Sequence, residues 1–202
     1  GDLIKDIQAQ GYDVVVTGPD KEGVDKIEAL GVKFIEVPVN KNGLNPFADL
    51  VYCLKLYKIM KQERADAIMG YTIKPVIYGS LAGWLAGVKN RTAMVTGAGY
   101  LFANKSMKAQ IIKRISFVLY RIGLGTSQKV IFQNIDDLNE FEEHRLVKKE
   151  KCHVVDGSGV NMNKYSPSAY PETPSFFFLG RLVNAKGGMD FVKAAKIIKA
   201  KH

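Results

Sequence analysis

The chain is poor in the residues that carry redox and metal chemistry. Its 202 residues include two cysteines, three histidines and one tryptophan. Cys53 and Cys152 lie far apart and make no metal-like spacing with His144, His153 or His202. No metal site is expected, and both thiols read as core residues in a reducing compartment. No apolar run is long enough to span a bilayer and no signal peptide opens the chain, which points to the cytoplasm, at most to a membrane surface. Repeats and low-complexity tracts are absent. Acidic residues are the minority, 20 against 29 Lys and Arg, for a net charge of +9. That surplus calls for a membrane surface, a nucleic acid or a phosphorylated substrate, with plain solubility as the alternative. No nucleic-acid-binding motif accompanies the basic residues, so nucleic acid is set aside. No catalytic base or nucleophile set stands out either. His144 sits in an acidic helix and reads as exposed, His153 as a structural strand residue, and His202 is terminal.

What is present is an alternation. Strand patterns at 12–17, 32–37, 65–70, 91–96, 129–133 and 151–155 are separated by helical patterns at 21–30, 47–62, 75–86, 108–124 and 136–144, after an opening helix at 3–10. The first strand is apolar almost throughout, which predicts burial on both faces. Asp20 and Asn134 are candidate helix caps. The helix at 47–62 has Leu50, Val51, Leu54, Tyr57 and Ile59 near helical period, and that at 75–86 has Gly79, Ser80, Ala82 and Gly83 for close packing on a sheet. The fold class is therefore α/β, a Rossmann-like parallel sheet with helices on both faces. From Gly157 the texture changes to Gly, Ser and Pro. Residues 1–160 are expected to form one domain, 161–174 a linker, and 175–202 the first βα unit of a second Rossmann-like domain, with Phe176, Phe177 and Phe178 in a buried strand. The chain opens inside one helical pattern and closes inside another, and is expected to be a piece of a longer protein.

Four stretches carry candidate chemistry. Gly97-Ala98-Gly99-Tyr100-Leu101-Phe102 follows a strand, where glycines allow positive φ and close approach to a ligand. It imitates the dinucleotide fingerprint but has Phe102 in place of the third glycine, and no acidic residue ends a later strand at the ribose position, so a nicotinamide or flavin cofactor is rejected. A substrate loop is preferred to a plain turn. Thr72 and Lys74 lie between a strand and a helix, where a lysine can hold a phosphate or simply be solvated. Lys105, Lys108, Lys113, Arg114 and Arg121 accompany Phe102, Met107, Phe117 and Tyr120 on or near one helix, which suits an anionic membrane surface, while Ile111, Ile115 and Val118 of that helix read as core-facing. Arg181 and Lys186 flank a helix N-terminus and together can neutralise a diphosphate leaving group.

Taken together these stretches resemble the family 4 retaining glycosyltransferases of GT-B architecture. The resemblance is carried most specifically by Gly157-Ser158-Gly159-Val160-Asn161 with Tyr165 and Pro167, then Phe178-Leu179-Gly180-Arg181-Leu182 and Ala185-Lys186-Gly187. Asn45-Pro46-Phe47, Tyr71-Thr72-Ile73-Lys74-Pro75 and Gly97-Ala98-Gly99-Tyr100 are similar to members that build capsule, O-antigen or glycan-linked lipid intermediates. The resemblance implies an N-terminal acceptor domain and the start of a donor domain. It implies a nucleotide-sugar donor, UDP-linked, used as substrate, with no cofactor and no metal. It implies as acceptor a lipid-linked or other saccharide at the inner face of the cell membrane. Arg181 and Lys186 are the implied donor-diphosphate contacts. Thr72, Lys74, Gly97, Gly99 and Tyr100 are assigned to the acceptor side, and Lys105, Lys108, Lys113 and Arg114 to the membrane. The family's first strand with its glycine-rich loop, and its Glu-x7-Glu segment, are not found, so this piece alone is not expected to catalyse transfer. A sugar-nucleotide epimerase of the same fold and a non-catalytic binding module are the rival readings.

Overall fold

The computed structural model describes residues 1–40, 45–97, 107–157, 159–180, 182 and 186–201, with the side chains of 107–109 outside the description. Every strand pairing is parallel. One sheet pairs β1 (Val15–Gly18) with β2 (Lys33–Glu36). The other runs β3 (Ala67–Tyr71), β4 (Asn90–Val95), β5 (Lys129–Phe132) and β6 (Cys152–Val154) in spatial order. Helices alternate with them: α1 (Asp2–Ala9), α2 (Val24–Glu28), α3 (Pro46–Gln62), a π-helical turn (Pro75–Gly79) continuing into α4 (Ser80–Ala86), α5 (Met107–Thr126) and α6 (Ile135–Glu143). This is the α/β architecture with parallel sheets and helices on both faces that the sequence predicts. Because parallel strands share one direction, all their carboxyl ends open onto the same edge of a sheet.

Capping explains where the firmest helices begin. The Asn45 side chain accepts from the backbone N–H of Phe47 and Ala48, and Pro46 at the first helical position has no N–H to orphan. Asn134 accepts from Asp137 N at 2.7 Å, as its position before an acidic first turn predicts. Asp20 does not cap. It closes a turn onto Glu22 N, and α2 starts later, at Val24, behind Gly23 in the left-handed region.

Burial alternates along the four-stranded sheet. Gly70, Ala93, Val95, Val130 and Phe132 are buried beneath a helical layer, while Met69 and Tyr71 on the other face are exposed. The core on the buried face joins the π-turn to α5 and α6, with Phe141 edge-on to both Tyr120 and Phe132 at 5.0 and 5.3 Å. Each such ring contributes about 2–3 kcal/mol by burial. A second core joins β2, α3 and α4 through Val37, Tyr52, Cys53, Leu56 and Ala82. The small residues of α4 serve as expected. Ala82 is buried, the Ser127 hydroxyl donates to Ser80 Oγ at 2.9 Å, and a Cβ on Gly83 would lie 2.5 Å from Ile68.

Several expectations are corrected. β1 is not buried on both faces, because Val15 and Thr17 are exposed and its second edge has no strand beside it among the described residues. Helix α3 buries Tyr52, Cys53 and Leu56, whereas Leu50, Val51 and Leu54 face outward. His144 is half-buried, stacked 4.8 Å from Phe117, and His153 is exposed. Ile111, Ile115 and Val118 of α5 lie outside the core, because Tyr120, Gly123 and Leu124 take the inner face. The chain also divides into compact units at Gly1–Val160 and Asn161–His202. In the second unit the stretch at 175–179 is not a strand, and no strand lies beside it among the described residues of that unit. Phe176 and Phe177 are exposed, and only Phe178 packs, at 5.6 Å from Phe191 of α7 (Gly188–Lys201).

The contact of α5 with the π-turn gives a test of this packing. A Cβ on Gly123 would lie 2.6 Å from the Ile77 Cα, which is backbone and cannot swing aside. Gly123→Ala is expected to destabilise the fold by about 1–3 kcal/mol in urea titration, although alanine is the better helix former.

Candidate functional site

A cavity of about 530 Å³ opens beyond the carboxyl ends of β1, β2 and β3. Thr17, Gly18 and Pro19 close one side, Val37, Val39 and Tyr52 a second, and the segment from Tyr71 to Pro75 a third. Its walls are mostly apolar and aromatic, and Lys74 is the one cation among the described residues that line it. The turn that delivers Lys74 is unusual in three respects. Gly70 lies so close to Pro75 that a Cβ would stand 2.7 Å from the Pro75 carbonyl oxygen. Thr72 is β-branched yet has φ +72, a strained backbone of the kind concentrated at ligand sites. The helix that follows opens with a π-helical turn, a rare element also associated with such sites.

The Lys74 ammonium donates to Asp49 Oδ1 at 2.5 Å, and the Tyr78 hydroxyl donates to Asp49 Oδ2 at 3.0 Å. Both charges are withdrawn from water, with side-chain exposures of 11% for Lys74 and 6% for Asp49. Asp49 lies in the first turns of α3, where the helix dipole favours a carboxylate. Burial raises the Tyr78 hydroxyl well above its usual pKa, and the hydrogen bond to the Asp49 carboxylate adds to the rise. Burial also moves Tyr52, on the cavity wall, up to about 12, with Cys53 contributing. Both phenols therefore stay protonated at neutral pH. The thiols of Cys53 and Cys152 are raised chiefly by burial as well, which disfavours their thiolate forms.

The structure thus brings Thr72 and Lys74 to one cavity. Gly97 lies two residues beyond β4, next to β3 at the same edge of the sheet, with φ +136 that only glycine tolerates well. Gly99, Tyr100, Lys105 and Arg181, and the side chain of Lys108, lie outside the described residues. Lys186 is exposed just before α7, in the other unit. Lys113 is half-buried above the Phe117 ring at 5.3 Å, and Arg114 is exposed. Among the described residues no three His, Cys, Asp or Glu side chains group as metal ligands, and no helix is long and apolar enough to cross a membrane.

Asp49 was not a sequence candidate, although a signal existed. Asp49, Tyr52, Cys53 and Leu56 fall at i, i+3, i+4 and i+7, so a carboxylate sits within an otherwise buried stripe and requires a partner. Asp49→Ala, which removes the carboxylate that the buried Lys74 ammonium and the Tyr78 hydroxyl donate to, is expected to lower stability by about 3–5 kcal/mol. Asp49→Leu combined with Lys74→Met is expected to recover most of that loss in the same denaturant titration.

A family model described as glycosyl transferase 4-like matches residues 2–134. The N,N'-diacetylbacillosaminyl-diphospho-undecaprenol alpha-1,3-N-acetylgalactosaminyltransferase of Campylobacter jejuni is 27% identical, over 98% of this chain and 56% of its own length. The UDP-Gal:alpha-D-GlcNAc-diphosphoundecaprenol alpha-1,3-galactosyltransferase of Escherichia coli is 26% identical, over 83% of this chain and 45% of its own. The chain spans about half the length of these curated relatives. Among solved structures, a glycosyltransferase from Rickettsia africae aligns with TM-score 0.61 and 18% identity, over 85% of this chain and 41% of that one. Anabaena Alr3699/HepE, solved with UDP and glucose, aligns with TM-score 0.52 and 16% identity, over 83% and 43%. These neighbours share the GT-B fold. With two thirds of its length matched by that model, the chain belongs to the glycosyl transferase 4-like family.

Proposed function

We propose that the protein transfers a sugar from a UDP-linked nucleotide sugar, with retention, to a lipid-linked saccharide during cell-surface glycan synthesis. The observation that carries this reading is the Lys74 ammonium at the wall of an apolar and aromatic cavity, at the carboxyl edge of parallel strands. A compact ammonium can share a buried carboxylate and a phosphate oxygen at once. Aromatic and aliphatic walls suit the carbon faces of a sugar or the first units of a lipid chain. The names of both curated relatives specify acceptors joined through a diphosphate to undecaprenol, and one names UDP-Gal.

In this reading the Gly1–Val160 unit binds the acceptor. Lys74 holds its phosphate, Thr72 sets the turn, and Gly97, Gly99 and Tyr100 shape the sugar site. Arg181 and Lys186 stabilise the departing nucleoside diphosphate of the donor, with no metal. The reaction takes place at the inner face of the cell membrane. The 202-residue chain alone binds acceptor without turning over, since the matching relatives are about twice as long.

The test is incubation of the full-length protein with a panel of UDP-sugars, with and without a lipid-diphosphate-sugar acceptor, followed by product mass. Acceptor-dependent addition of one sugar is expected. Donor isomerised without acceptor, or no turnover with any donor, refutes the transferase reading. Lys74→Met is expected to raise the acceptor KM by about tenfold or more with the donor KM unchanged. The Asp49→Asn/Lys74→Met pair, which removes both buried charges, serves as a second variant if the single one is unstable. An unchanged acceptor KM in both overturns the role of Lys74.

A further inference from the structure

The cavity beside Lys74 holds a polar group that the fold itself does not use. Tyr52 lies on α3, three residues after Asp49 and on the same buried side. It is 5% exposed and lines the cavity. Its ring is held edge-on to Tyr78 at 6.4 Å and packs in the core with Val37 and Leu56. The Tyr78 hydroxyl donates to Asp49, but the Tyr52 hydroxyl makes no hydrogen bond among the described residues.

A buried polar group without a partner is unfavourable and calls for a reason. One reason would be a hydroxyl sealed in the core as a tolerated orphan. Among the described residues, however, the one side-chain oxygen or nitrogen sealed from water without a partner is Glu142 Oε1. The Tyr52 oxygen is therefore open, and the space it opens to is the cavity. Burial keeps the phenol protonated at neutral pH, so it offers a neutral donor and no charge.

Its surroundings select what can accept that hydrogen. Val37 and Val39 set carbon beside it. A sugar hydroxyl placed there accepts from Tyr52 but brings a hydrogen of its own against a wall of carbon. A carbonyl oxygen only accepts. An acetamido group is one carbonyl with a methyl beside it and its N–H turned back toward the sugar ring. It satisfies the phenol and covers the apolar wall at once. The position also fits. Three residues advance a helix by about 4.5 Å, and helical side chains lean back toward the N-terminus. Tyr52 therefore stands close beside the Asp49–Lys74 pair.

We infer that Tyr52 selects for an acetamido group on the sugar joined to the acceptor's phosphate, by donating its hydroxyl hydrogen to the amide oxygen. The inference rests on the acceptor reading of this cavity and adds the class of sugar it takes. No bond is made or broken at Tyr52, so its role is specificity.

Two short-chain lipid diphosphates serve as probes, one carrying N-acetylglucosamine and one carrying glucose. They differ only in acetamido against hydroxyl. The full-length protein is titrated with each by calorimetry, without donor. Binding about tenfold or more tighter is expected for the acetamido probe. Tyr52→Phe keeps the ring and its packing, and is expected to bring the ratio near one by weakening that probe at an unchanged Tm. A loss caused by disturbed packing would weaken both probes and keep their ratio. A ratio kept in Tyr52→Phe overturns the inference. Equal binding of both probes by the unmutated protein overturns it without the variant, and no binding of either probe removes the acceptor reading with it. Turnover is then read with a UDP-sugar added. Selective binding with no transfer refutes the transferase reading alone, whereas transfer with equal binding of the two probes refutes the role of Tyr52 alone.

Discussion

The ion pair of Asp49 and Lys74 holds the site side of the molecule together. Two unit charges removed from water are strongly unfavourable alone and tolerable only beside one another with further hydrogen bonds. Tyr78 supplies one such bond on Asp49. The three groups come from α3, from the strained turn after β3 and from the π-turn, so the pair ties the helix that follows β2 to the turn that follows β3. No β1–β2 strand is hydrogen-bonded to the β3–β6 sheet among the described residues. Their relation is carried by α3, through the Val37–Tyr52–Leu56 core, the Lys33–Glu63 pair at its far end and the Asp49–Lys74 pair at its start.

That dependence explains what the sequence disclosed and what it hid. Parallel order was legible because apolar strand runs alternate with helical runs over the whole first unit. Asn134 was legible as a cap because its partner lies three residues away. The phase of α3 was not legible. With Phe47, Leu50, Val51 and Leu54 on one side and Tyr52, Cys53 and Leu56 on the other, apolar residues surround the helix and periodicity selects no face. Lys55, Lys58 and Lys61 mark the outer side only toward the C-terminal end of the helix; in its first turns the one charge is Asp49, which lies on the inner side, and its meaning depended on Lys74 and Tyr78, 25 and 29 residues away. The stretch at 175–179 misled for a related reason. A strand is a property of a pair, and Phe176 and Phe177 find no partner strand among the described residues of their own unit.

Lys74 also shows how burial changes a sequence assignment without removing it. A lysine before a helix reads as a phosphate ligand or as a solvated charge. The observed side chain is neither bare nor solvated, since it is held by a carboxylate in a cavity wall. A cation fixed in this way loses little freedom when a ligand arrives, which is the advantage of preorganisation, while the paired carboxylate moderates its attraction for any anion.

The two sides of α3 connect these features. The turns that carry Asp49 inward carry Phe47, Leu50 and Val51 outward. An α-helix with its side chains is about 10–12 Å across, so the cavity wall and the outer apolar surface are separated by little more than one helix. Gly97, two residues beyond β4, stands at the same carboxyl edge of the sheet as the turn that carries Lys74.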